Sequence, residues 1–158
     1  MASSSTIELA AAEVRRALAS YPPFRHAAAG IAVKTSADGI ELHGFVRSEA
    51  VANSALALAR AVAGQVAVTN KLVADNILEA KAAQRLAADS RTAAYPVRVN
   101  AYLGYVTLVG VLPAALRKTA QDIVQGIPGV RGVEEEAMSL SPAEQPVASL
   151  FSALSSPA

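Results

Sequence analysis

One offset organises this chain. A shift of 66 residues carries Ile31 and Val33 onto Val97 and Val99, Ile40 onto Val106, Leu42 onto Leu108, and Gly44 onto Gly110. Farther along the offset is 65, and it carries Gly64 onto Gly129 and Val68 onto Val133. A chain that repeats at this period builds one supersecondary unit twice. Its 158 residues suffice for two small layered domains. The hydrophobic fraction is 53%, but much of it is alanine and aromatics are only 4%. The cores must therefore rest on Val, Leu and Ile, each worth about 1.5–3 kcal/mol when fully buried.

Each copy has the same order of elements. Ser5-x-x-Glu8 has the spacing of a capping box, and Ile7, Val14 and Leu18 follow on one helical face. The helix should end at Tyr21, because a residue before proline avoids the α region. In the second copy Asn76 precedes Leu78, Ala82 and Leu86 at helical spacing. Alternating apolar residues then predict two strands, 31–34 and 40–46, with a turn at Asp38-Gly39. Their counterparts are 97–100 and 105–112, with the turn near Gly104. Ser48 caps a second helix with Val51, Ala55, Ala59 and Val62 aligned. Pro113 opens its counterpart, with Leu116, Ala120, Ile123, Val124 and Ile127 as the apolar stripe. Gly64 and Gly129 are expected to stop these helices, and strands 66–73 and 130–140 close the copies.

The order α-β-β-α-β predicts an α+β fold. Each module is a three-stranded mixed sheet with two helices on one face, the helical crossover being right-handed. The modules are placed at 5–74 and 75–140, followed by a Ser/Pro/Ala-rich tail over 141–158 in which Val147, Leu150, Phe151 and Leu154 form a short amphipathic pattern.

The quoted residues resemble the BON domain, the family named for bacterial osmotic-stress and nodulation proteins. Its pattern is a strand ending in Leu-x-Gly, a helix, then Pro-Gly-Val and a closing strand with an Asn. The second copy reads Leu108-Val-Gly110 and Pro128-Gly129-Val130, and the first reads Leu42-His-Gly44 and Gly64…Thr69-Asn70. Two departures stand out: Ala63-Gly64-Gln65 replaces Pro-Gly-Val in the first copy, and Glu135 replaces the Asn in the second. The resemblance implies a non-catalytic binding module without a cofactor. It points to phospholipid or membrane-surface association in envelope or osmotic-stress protection. Two alternatives follow from the same family: a protein-interaction or oligomerisation module, and a sensor of a small, potassium-like ion.

The chemistry of the chain is sparse. There is no cysteine, and His26 and His43 are the only histidines, so no metal-site pattern is visible. No nucleophile elbow or phosphate loop occurs. Gly126-x-x-Gly129-x-x-Gly132 lies between a helix and a strand, whereas dinucleotide loops open a helix after a strand. His43 has Val109 as its counterpart and no evident nucleophilic partner, so no catalytic residue is assigned. Glu134-Glu135-Glu136 reads as a charged edge strand. Net charge is +1, without a basic stripe, which argues against nucleic-acid binding. The N-terminus shows no leader pattern, and no run reaches the length of a membrane span. The expected location is cytoplasmic, or periplasmic if an export signal has been removed.

Two features carry candidate binding residues. The second hairpin turn reads Tyr102-Leu103-Gly104-Tyr105 where the first copy has Ser36-Ala37-Asp38-Gly39. An apolar tip is unusual for a turn in water, so Tyr102, Leu103 and Tyr105 are expected to touch a ligand. That ligand is a lipid interface, a partner groove or the other module. The sheet faces away from the helices also carry apolar residues: Phe45 in the first copy, Val109 and Val111 in the second. A solvated sheet face normally reads polar, so these three are expected to form an interface.

Overall fold

The computed structural model describes residues 1–24 and 30–136. His26 and the 141–158 tail lie outside the described residues. The chain divides into two compact units: Met1–Leu78 with Ala101–Gly104, and Glu79–Asn100 with the chain from Tyr105 onward.

The first unit opens with α1 (Ser4–Ser20). Its N-cap is Ser3, whose hydroxyl accepts from Thr6 N, and not Ser5 as the capping-box spacing suggested. Four consecutive hydroxyl residues, 3–6, are each competent to cap. The choice is made by the need to place Ile7, Ala11, Val14 and Leu18 on the core. Glu8, the other half of the expected box, instead accepts a 2.8 Å bond from the Thr35 hydroxyl. The helix closes at Tyr21, as the following proline requires.

Strands β1 (Ile31–Ser36) and β2 (Gly39–Val46) form an antiparallel hairpin through a two-residue turn. Helix α2 (Glu49–Ala63) then crosses back to β3 (Val68–Ala74), which lies parallel to β2, giving the order β1-β2-β3. Ser48 caps α2 through Val51 N, as expected. The buried line of α2 is Ala52, Ala55, Ala59 and Ala63, with Val51 and Val62 only partly buried. The stripe is thus rotated from the predicted one. Alanine lets two helix backbones approach closely, so the alanine line takes the α1 contact and the valines fill in at its sides. The core joins Ile7, Val14, Leu18, Phe24, Ile40, Leu42 and Val68 to Ala55, Ala59 and Ala63, while Ala52 packs with Val46 and Ala74.

Helix α3 (Asp75–Ala88) follows β3 without a loop. Asn76 is therefore not its cap. The Asn76 side chain accepts from Glu49 N at 3.0 Å and its backbone N–H reaches the Arg47 carbonyl. Past α3, the Asp89 carboxylate accepts from the backbone and side chain of Arg91 at 2.8–3.0 Å, and buried Thr92 donates to the Leu86 carbonyl at 2.6 Å. The Arg91 guanidinium bond, then its backbone amide bond, hold Asp89 at about 2, below its ordinary 3.8. A depressed carboxylate contributes stability above its unfolded value, and that contribution is lost as pH falls through about 2. A carbon-detected NMR titration should therefore give Asp89 a midpoint near 2, moving toward 3.8 in Arg91→Ala; a wild-type midpoint near 3.8 contradicts the pairing.

The second sheet has the order β4-β5-β6, from β4 (Val97–Tyr102), β5 (Tyr105–Gly110) and β6 (Gly132–Glu136). The turn between β4 and β5 makes that pair antiparallel, and β5 and β6 run parallel. Helix α4 (Ala114–Gln125) supplies the crossover, with Pro113 at its N-cap. Gly126, in right-handed geometry, is the C-cap; Gly129 lies in the following turn, so it is not the residue that stops the helix. Among the predicted stripe of α4 and the turn after it, Ala120, Val124 and Ile127 are buried, and Leu116 and Ile123 only partly so. Val106, Leu108, Leu112 and Ala82 are fully buried, and Leu86, on α3 with Ala82, is buried. Both modules are thus α+β with three-stranded mixed sheets.

Candidate binding surfaces

In the first unit both helices cover the face defined by Ile40, Leu42 and Val46. Side chains alternate along a strand, so the opposite face carries Glu41, His43 and Phe45. The register sets Thr69, Lys71 and Val73 beside them, with Lys34 and Ala32 on β1. Glu41 sits between two donors: His43 Nε2 lies 2.7 Å from Oε2 and Lys71 Nζ 3.1 Å from Oε1. The His43 bond first, and the Lys71 bond second, lower the Glu41 carboxyl below its ordinary value. Phe45 and Val73 form a partly buried apolar pair next to this polar trio. The face is therefore mixed, apolar at one end and charged at the other.

In the second unit the corresponding face carries Tyr105, Thr107 and Val109, in register with Gly132, Glu134 and Glu136. Tyr105 is 44% exposed, and the Arg131 guanidinium stands 4.8 Å from its ring centre. Gly132 has no side chain to displace the ring, since a Cβ there would come within 3.2 Å of it. Val109 and Val111 are partly buried. Glu134 is exposed on the edge strand β6.

The apolar turn is organised by a residue that the sequence did not single out. Leu103 and Gly104 both have positive φ, at 48° and 85°. Such a pair is the mark of a type I′ hairpin turn, unfavourable for leucine by about 1–2 kcal/mol. Their two N–H groups donate to Asp75, Leu103 to Oδ2 at 2.9 Å and Gly104 to Oδ1 at 3.0 Å. Arg47 Nη1 donates to the same carboxylate at 2.7 Å and to the Ala101 carbonyl at 2.6 Å. Asp75 is 1% exposed. Tyr102, 64% exposed, lays its ring 5.0 Å from the Arg47 guanidinium carbon. All of these groups belong to the first unit.

The structure therefore brings Tyr102 and Leu103 together on one Asp75-held turn, while Tyr105 points to Arg131 in the second unit. Phe45 stands beside Val73, and Val109 shares a face with Thr107 and Tyr105. Asp75 and Arg47 carry a weak sequence signal, an acid wedged between strand and helix and an arginine just past β2. The acid's partners are backbone amides 28 and 29 residues away, which no side-chain pattern records. Among the described residues no three His, Asp or Glu side chains converge on a metal-sized site, and no helix is long and apolar enough to cross a membrane.

Comparison with known proteins agrees with this architecture. A solved structure of CdsD, a structural protein of the type III secretion system of Chlamydia trachomatis, matches with a TM-score of 0.66 at 19% identity, over 96% of this chain and 70% of that one. A structure of the CdsD C-terminal domain matches with a TM-score of 0.55, also at 19% identity, over 80% of this chain and 63% of that one. At such identity the likeness shows the fold. A comparison with curated proteins returns no significant match. The pattern of the BON domain, a non-catalytic binding module, matches residues 7–76 and again 74–140. The chain, folded as two α-β-β-α-β units in tandem, belongs to the BON domain family.

Proposed function

We propose that this chain is a protein-association module that docks through the helix-free faces of its sheets. The observation that carries the reading is the partly buried Phe45–Val73 pair on the face of the first sheet opposite the one packed by α1 and α2. Val109, with Val111 just past the strand, extends the pattern to the second unit. Sheets with helices on one side need a second layer or water on the other, and water favours polar residues. The polar trio Glu41, His43 and Lys71 beside Phe45 would fix orientation, since charged groups at an interface set register and reject wrong partners. The fold shared with a secretion-system structural protein supports an assembly role. Sedimentation velocity on wild type, Phe45→Asp and Val109→Asp tests the reading. Self-association should weaken at least about tenfold in each variant, because a charge at the centre of an interface must be desolvated. A wild type that stays monomeric, or variants that associate unchanged, would contradict it.

A second reading rests on a different observation, the exposure of Tyr102 and Tyr105 around the apolar turn. Aromatic side chains with a polar tip suit a membrane surface. Phospholipid association through this turn predicts co-sedimentation with anionic vesicles that is lost in Tyr102→Ser/Leu103→Ser. Equal pelleting of wild type and variant would remove the turn from the account.

A further inference from the structure

We propose that Asn70 and Arg15 are plugs at the two edges of the first sheet, which keep β3 and β1 from taking an added strand of a second copy of this chain. β1 and β3 are the end strands of the order β1-β2-β3. An end strand presents a row of backbone N–H and C=O groups to any strand that comes alongside. The register says which residues present them. Ser36 and Gly39 close a two-residue turn, so Thr35↔Ile40, Val33↔Leu42 and Ile31↔Gly44 are the pairs that exchange no ladder bonds. The Ile40 amide agrees, since it donates to the Ala67 carbonyl at 2.9 Å and so points away from β1. The outward residues of β1 are therefore Ile31, Val33 and Thr35. On β3 the alternation that starts from Ala67 turns Val68, Asn70 and Leu72 outward.

One outward group on each edge is taken by a side chain. On β3 the Leu72 N–H donates to Asn70 Oδ1 at 3.0 Å. The register sets Asn70 beside Leu42 and Leu72 beside Gly44, so the asparagine of the family pattern stands next to its Leu-x-Gly. Alternation puts its side chain on the same face as Val68 and Ala74, both buried. A polar group there requires a partner, and it takes the outward amide two residues on. A strand adding to β3 would require that amide as a donor. On β1, Arg15 Nη2 donates to the Val33 carbonyl at 3.0 Å. Val33 is the middle one of the three outward residues, and the guanidinium stands where the donor of an added strand would come. Glu8, two turns before Arg15, accepts from the Thr35 hydroxyl, so α1 runs along this edge. Ala32, Lys34 and Thr35 are exposed, and a strand could reach β1 were Arg15 not there.

Amide hydrogen exchange and sedimentation equilibrium test the plugs together. In wild type the Leu72 amide should exchange at least about fivefold more slowly than the Asn70 amide, which faces the same edge. In Arg15→Ala/Asn70→Val the Leu72 amide should lose that protection at low concentration, while Lys71 and Val73, bonded to β2, keep theirs. The same variant should self-associate at least about tenfold more tightly than wild type, with protection at the Val33 and Leu72 amides rising with concentration. A variant that associates no more than wild type, or whose added protection falls on the amides around Phe45 and Val109, would overturn the proposal. A wild-type Leu72 amide as labile as that of Asn70 would overturn it too, even if the variant does not fold. Neither result depends on docking through the sheet faces, which has its own markers at Phe45 and Val109.

Discussion

Gly44→Ala should be among the most damaging single-methyl changes in the described residues. Gly44 has φ 121° and pairs with Ile31 across the first hairpin. A Cβ there would strike the Gly30 carbonyl oxygen and lie 2.8 Å from the carbonyl carbon. Those atoms are backbone, so relief requires β1 to move off β2. Conformational strain adds to the collision, and the loss should exceed about 4 kcal/mol, a large part of the stability of a domain this size. Gly64→Ala provides the control. Gly64 also has positive φ, at 62°, but nothing lies within 4 Å of the added methyl, so only the backbone strain remains and the loss should be about 1–3 kcal/mol. Urea denaturation of the two variants measures the contrast. Equal losses would mean that the Gly44 backbone is not packed as described.

Leu42→Ala and Leu108→Ala should come next. These residues occupy the same position in the two copies, two before the glycine of the Leu-x-Gly pattern, and both are 0% exposed. Truncating a fully buried leucine removes its transfer energy and leaves a cavity, typically about 2–5 kcal/mol. Thr107→Ala, one residue away on the opposite face and only partly buried, should cost less than about 1 kcal/mol. Thermal or urea unfolding of all three checks the assignment of faces. A Thr107 variant as damaging as the Leu108 variant would reverse the inside and outside of β5.

The architecture was legible because a repeat doubles every signal. Val106 and Leu108 echo Ile40 and Leu42, so each strand was read twice and the element order followed. Details that depend on a choice among equals were not legible. Ser3, Ser4, Ser5 and Thr6 are all good caps, and the core decides among them. Gly126 and Gly129 both follow α4, and the chain stops the helix at the first. On α2 the valines looked like the core stripe, yet the smaller alanines take the closest approach. Asp75 is not legible in the sequence for a different reason. Its burial is satisfied by amides of a distant turn whose own oddity, leucine at positive φ, is invisible until the backbone is seen. The candidate surfaces were partly legible. Phe45 and Val109 could be assigned to the helix-free faces by alternation alone, but the Glu41–His43–Lys71 network needed the parallel pairing of β2 with β3.

The docking surfaces proposed above are the sheet faces opposite those packed by α1 and α2 in the first unit and carrying Val109 in the second. The most direct measurement is amide exchange of the wild-type chain across a dilution series, read residue by residue. Docking through these faces would give protection that rises with concentration on β2 around Phe45, on β3 around Val73 and on β5 around Val109, with α1, α2 and α4 unaffected. Exchange that is independent of concentration at these strands, or concentration-dependent protection confined to the helices, would contradict it.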